Sequence, residues 1–83
     1  MAKWITHQER PLWGKNLRIL RQKRDLRLID VSKATEIHVA NLSEYETGRS
    51  VPGLEAILRL LEFYQVKFED VFMREEGENS AKS

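Results

Sequence analysis

Apolar residues in this chain recur at intervals of three and four, and no run alternates apolar with polar residues between turn signals. Trp13, Leu17, Leu20 and Arg24 fall on one stripe of a helix running from about Pro11 to Lys23. Pro11 suits the first turn of that helix, where its missing N–H costs nothing. After a short connection at Asp25 and Leu26, Leu28, Val31 and Ala34/Thr35 mark a second, short helix. Glu36-Ile37-His38 reads as a turn. Val39, Leu42 and Tyr45 then mark a third helix, stopped by Gly48, which takes positive φ readily. Pro52 and Gly53 punctuate a loop. Leu54, Ile57, Leu58 and Leu61 give a fourth helix over about Leu54 to Tyr64, with Glu55 in the first turn to suit its dipole. Val66 continues the core, and Phe68, Val71 and Phe72 mark a short fifth helix. The pattern predicts an all-α, compact five-helix bundle. Its expected core is Trp13, Leu17, Leu20, Leu26, Val31, Leu42, Tyr45, Ile57, Leu58, Leu61, Val66, Val71 and Phe72.

The 83 residues allow one domain. Residues 1–10, polar apart from Trp4 and Ile5, read as a flexible arm, 11–73 as the folded part and 74–83 as a polar tail. Apolar residues at 41% and charged residues at 33% suit a soluble folded domain. Without cysteine there is neither a disulfide framework nor a thiolate metal site. No apolar run is long enough to span a bilayer and the first residues lack a signal-peptide core, so a cytoplasmic location is expected. The net charge of +1 hides an asymmetry. Residues 1–35 hold nine Lys/Arg against three Asp/Glu, and residues 36–83 hold five against ten. Such a chain can turn a basic face to a polyanion.

Two short helices joined by about three residues around Glu36 have helix-turn-helix spacing. Val31-Ser32-Lys33-Ala34-Thr35-Glu36-Ile37-His38 and the following Asn41 to Pro52 stretch, with its Glu46-x-Gly48-Arg49-x-x-Pro52 close, carry a resemblance. Together with Leu54-Glu55-x-Ile57-Leu58 and Val66-x-Phe68-Glu69-Asp70-Val71-Phe72, they make the chain resemble the lambda-repressor-like (Cro/CI, or XRE) family from about Leu12 to Phe72. The resemblance implies a transcriptional regulator, expected to repress, whose third helix enters the major groove of double-stranded DNA and whose dimers read two half-sites. Mapped by position, it places Val39, Ala40, Asn41 and Glu44 at base edges. There Asn41 could bond adenine, Glu44 could accept from cytosine, and Val39 and Ala40 could touch a thymine methyl. It places Lys15, Arg18, Arg27, Ser43, Thr47, Arg49 and Ser50 at phosphates, which fix register without reading sequence. It also makes Arg21 and Glu46 a partly buried structural ion pair.

The chain departs from the family pattern at three positions. Glu36 stands where a turn glycine is usual, at a cost of about 1 kcal/mol in left-handed backbone. Leu28 replaces the common phosphate-binding Gln, and Glu44 adds an acid to the reading helix. These departures favour a rival reading: an antitoxin-like or accessory protein-interaction module that no longer reads DNA, with Leu28 as an exposed protein contact. No catalytic spacing appears. His7 and His38 lack acid–base partners, His38 occupies the N-cap place of the third helix, and no phosphate loop or metal-ligand cluster is present. No cofactor is expected. A homodimer is, with Trp4 and Ile5, or Phe68, Phe72 and Met73, as candidate contacts.

Overall fold

The structure is a computed structural model, and it describes residues 12–73. The arm, Pro11 and the tail lie outside the described residues, and with them Trp4, Ile5 and His7. Five α-helices follow one another: α1 (Leu12–Lys23), α2 (Leu28–Thr35), α3 (Val39–Thr47), α4 (Leu54–Tyr64) and α5 (Phe68–Phe72). The bundle is all-α, as the apolar spacing predicts. Among the described residues, no helix is long and apolar enough to cross a membrane.

Helix ends show why these segments stop where they do. After α1, Asp25 takes φ 54°, and after α4, Gln65 takes φ 58°. Each lets the next amide reach back five residues: Leu26 N–H to the Arg21 carbonyl at 3.2 Å, and Val66 N–H to the Leu61 carbonyl at 3.1 Å. Gly48, with φ 81°, closes α3 the same way, Arg49 N–H reaching the Glu44 carbonyl at 2.9 Å. This arrangement satisfies carbonyls that a helix end otherwise strands. Helices α2 and α5 start alike. The third-residue aspartates Asp30 and Asp70 accept from the backbone N–H groups of Arg27 (2.8 Å) and Lys67 (3.0 Å).

One core joins all five helices. Trp13, Leu17 and Leu20 come from α1, Val31 from α2, Ile37 from the turn, Leu42 from α3, Leu60 and Tyr64 from α4, and Val71 from α5. Leu26, Tyr45, Leu61, Val66 and Phe72 pack against this cluster, and Ile57 is half-buried. Leu58 corrects the sequence expectation: it is 57% exposed, and Leu54 is 73% exposed. Helix α4 offers two apolar stripes, and the inward one is Ala56, Leu60 and Tyr64. That stripe sets the large Tyr64 ring in the core and brings Arg59 to the end of α2, which the Leu54–Leu58 stripe would not. The α2–α3 turn buries Ile37, so the turn is part of the core and not only a connector.

Polar ties fix the short helices. Buried Asn16 of α1 donates from Nδ2 to the Val71 carbonyl at 2.7 Å and the Asp70 carbonyl at 3.3 Å, satisfying acceptors in the five-residue α5. Arg24 donates to the Tyr64 carbonyl at 2.9 Å at the end of α4, and its guanidinium lies 5.2 Å from the Tyr64 ring centre. Arg59 donates to the Thr35 carbonyl at 3.1 Å at the end of α2. Three basic residues, Arg21, Arg24 and Arg59, therefore cap helix ends or turns.

Candidate nucleic-acid interface

Helix α3 is the element on which the sequence reading depends. Its N-terminus is set by His38, whose Nδ1 accepts from the Ala40 N–H at 3.1 Å, the N-cap role expected of it. The preceding turn needs left-handed backbone, and Glu36 adopts it at φ 64°. The Glu36 N–H donates to the Ser32 carbonyl at 2.8 Å, and the Ser32 hydroxyl donates to the Ile37 carbonyl at 2.6 Å. These bonds hold α2 and α3 at a tight corner although no glycine is there.

Leu42 and Glu46 turn α3 toward the interior, leaving Ala40, Asn41, Glu44 and Thr47 exposed along the outside. Val39 and Ser43 are half-buried at the margins of that strip. Of the four positions implied to face bases, then, Ala40, Asn41 and Glu44 share an open strip and Val39 borders it. The Thr47 hydroxyl donates back to the Ser43 carbonyl at 3.0 Å, so it meets an external group as an acceptor or by turning away.

Helix α3 is clamped against α1 in two ways. Arg21 grips Glu46 with both prongs, Nε to Oε2 at 2.8 Å and Nη2 to Oε1 at 3.0 Å, while Nη1 donates to the Leu26 carbonyl at 2.9 Å. The hydrogen bonds that Arg21 donates to Glu46 raise its pKa further above its already high ordinary value; burial opposes this, and the charge of Glu46 adds to it. Two turns earlier, Gly14 lies so close to α3 that a Cβ there would stand 2.7 Å from the Glu46 carbonyl oxygen and 2.9 Å from that of Tyr45. Only glycine admits this approach. Helix α3 is thus seated against another helix, not on a loop.

Cations flank the strip at its far end. Gly14, Arg18 and Arg21 fall on one stripe of α1, the stripe that meets α3, and Arg18 is its exposed member. Lys15 sits one turn before Arg18. Exposed Arg49 and half-buried Ser50 directly follow α3. Among the described residues, neither Arg18 nor Arg49 pairs with an acid. Arg27 differs: its guanidinium holds both oxygens of Asp30, at 3.1 and 3.0 Å. Those bonds lower the Asp30 pKa and raise that of Arg27, so a phosphate would have to compete with Asp30 for this side chain.

Two of the three departures look different in three dimensions. Leu28 packs against the core instead of standing out as a protein contact, which corrects that expectation. Glu36 has a cation beside it, Arg59 at 3.9 Å, and Arg59 also bonds Glu55 at 2.7 Å. Sequence reasoning did not single out Arg59, although its spacing four residues after Glu55 was a visible signal. Glu36, His38, Asn41, Glu55 and Arg59 line an open cleft of about 350 Å³ between the turn and α4.

Three comparisons place this arrangement among known proteins. A family model described as a helix-turn-helix domain matches residues 14–71. An HTH-type transcriptional regulator, DdrOP3 of Deinococcus deserti, is 44% identical over 55 residues, which are 66% of this chain and 43% of that protein. The match therefore spans less than half of the relative's length. The solved structure of the restriction-modification controller protein C.AhdI from Aeromonas hydrophila superposes with a TM-score of 0.68 at 22% identity, covering 72% of this chain and 91% of the other. That likeness carries the fold. With a matched segment that runs from Gly14 in α1 to Val71 in α5 and contains both helices around Glu36, the chain belongs to the helix-turn-helix domain family.

Proposed function

We propose that the chain is a sequence-specific double-stranded DNA-binding regulator that represses by occupying its site, with α3 laid in the major groove. The observation that carries this is the exposed Ala40–Asn41–Glu44 strip, held from behind by Arg21, Glu46 and Gly14 and flanked by Arg18 and Arg49. An α-helix fits that groove, where each base pair shows a distinct pattern of donors and acceptors. Asn41 and Glu44 are the polar readers, and Val39 and Ala40 supply apolar contact. Lys15, Arg18, Ser43, Thr47, Arg49 and Ser50 meet phosphates, and Arg27 does so where it leaves Asp30. The role is binding, with no chemical step.

Two copies would read a pseudo-palindrome with half-site centres about 34 Å apart. The domain measures 33 × 29 × 19 Å, so two copies side by side match that spacing. With about four phosphates neutralised per copy, affinity falls with salt at a log–log slope of roughly −0.9 per contact. Selection of bound duplexes from a random pool tests the reading. A palindromic consensus is expected. A folded sample that enriches no sequence, and binds random duplex at low salt no better than a neutral protein does, would overturn it in favour of a protein-interaction module.

A further inference from the structure

A row of aromatic rings opens outward from the first turn of α1 across α5. Trp13 is buried, and its ring centre lies 6.3 Å from that of half-buried Phe72. Phe72 in turn stacks on Phe68, with ring centres 4.5 Å apart and planes 15° from parallel. Phe68 is 48% exposed, and Met73, next to Phe72 in the chain, is 69% exposed. The open end of the row presents roughly 200 Å² of apolar surface, about what one Trp side chain buries. Asn16 ties α5 to the first turns of α1, so this face stands beside the point where residues 1–11 enter the fold.

We infer that the chain's own arm covers this face, with Trp4 extending the ring row over Phe68 and Met73 and Ile5 beside it. The contact forms with or without DNA, and it joins two sets of residues that the sequence offered as alternative dimer contacts. Four observations select the arm as occupant. Trp4 stands eight residues before Leu12, a reach of up to roughly 26 Å, whereas the five residues of α5 rise only about 7.5 Å. Residues 74–83 offer no apolar side chain beyond Ala81, whereas the arm holds Met1, Trp4 and Ile5. The charges also fit. Residues 67–73 carry Glu69 and Asp70 against Lys67, the arm carries Lys3 and Arg10 against Glu9, and residues 74–83 carry three Glu against Arg74 and Lys82. An acidic helix therefore attracts the arm and repels the tail. Finally, two such faces docked together would remove only roughly 400 Å², a quarter of a standard interface of about 1,600 Å², so a second copy is a poor occupant. A tethered segment needs no such area, because its effective concentration is of order millimolar. Asn16 and Gly14 lie roughly 160° apart around α1, so an arm docked on α5 sits on the side away from α3.

The chain has no cysteine, so paired substitutions report the contact cleanly. Ile5→Cys/Met73→Cys chains should close an internal disulfide at least about tenfold faster than Ile5→Cys/Val51→Cys chains, Val51 being similarly exposed at 66%. Acrylamide quenching of the wild type, compared with Trp4→Phe, should show Trp4 shielded without DNA. Phe68→Ser should raise the quenching of Trp4 at least about twofold, and Met73→Ser, at a more exposed position, repeats the measurement if Phe68→Ser unfolds. Trp4→Ser and Phe68→Ser should each lower the urea midpoint, and the pair together should lower it no further than the larger single shift. Equal disulfide rates, additive midpoint shifts, or dimers as the main oxidation product overturn the inference. So does a Trp4 that becomes shielded only when duplex is added, which would assign the arm to DNA.

Discussion

Removing Arg21 or Glu46 should take away about half of this protein's stability, and the structure gives the size of the effect. The pair is bidentate, and the two side chains are only 16% and 10% exposed. In Arg21→Ala, Glu46 loses both donors in a nearly closed site and the Leu26 carbonyl loses its donor as well. Stranding one member of a buried pair costs about 3–5 kcal/mol, and the residual exposure lowers that to about 3 here. In Glu46→Ala, Arg21 keeps the Leu26 carbonyl and some water, so about 2 kcal/mol is expected. A domain of this size has only about 5 kcal/mol in all, so either change removes roughly half of it and lowers the thermal midpoint by roughly 10–20 °C. Replacing both residues by Met and Leu should cost less than either truncation alone, because no charge is then stranded. Urea unfolding followed by far-UV circular dichroism, run on the two singles and the double, yields the coupling directly. Additive costs, with coupling below about 0.5 kcal/mol, would show that the pair is not what seats α3 on α1.

Other outcomes follow from the same geometry. Gly14→Ala should cost about 1–3 kcal/mol, read as a drop in urea midpoint, because the added methyl meets α3 carbonyl oxygens at 2.7 and 2.9 Å and neither helix backbone can yield cheaply. Glu36→Gly should stabilise by up to about 1 kcal/mol by relieving its φ of 64°, less the exposed contact with Arg59; a lower thermal midpoint would contradict this. Burial, then the charge of Glu46, pushes the Tyr64 phenol up to about 12 from its ordinary 10.0. Unfolded chains lose that proton first, so the associated stability is intact below pH 10 and is lost as pH rises from 10 toward 12, by about 2 kcal/mol. Thermal melts across that range should show the loss, and Tyr64→Phe should flatten it. On DNA, Asn41→Ala should relax base preference, whereas Arg49→Ala should weaken all duplexes about equally; identical behaviour in a competition binding assay would contradict the assigned roles.

Helices, turns and the clamp were legible in the sequence for distinct reasons. Long apolar stripes and Gly48 set α1, α3 and α4 to within a residue of their observed bounds. The positive φ at Glu36 and the Arg21–Glu46 pair came from the family pattern, not from local chemistry. The inward face of α4 was not legible. Its Ile57-Leu58-Arg59-Leu60-Leu61 run is apolar on two sides, and only packing against α2 and α1 decides between Leu58 and Leu60. Left-handed Asp25 and Gln65 carry no glycine signal, since each is stabilised by a carbonyl bond that forms only once the helix before it exists. The buried amide of Asn16 could not be anticipated either, because its partners lie 54 and 55 residues away.

The arginines that close helix ends bear on how this surface can be re-engineered. Arg21, Arg24 and Arg59 each reach a main-chain oxygen with one prong of a planar fork while another engages a second group. Lysine has one ammonium and cannot span two such targets. Exchanging these three for lysine would leave the formal charge untouched and yet loosen three seams of the bundle, whereas Arg18 and Arg49 tolerate the swap. Formal charge is therefore a poor guide to how strongly this protein grips a polyanion: part of it works as internal mortar.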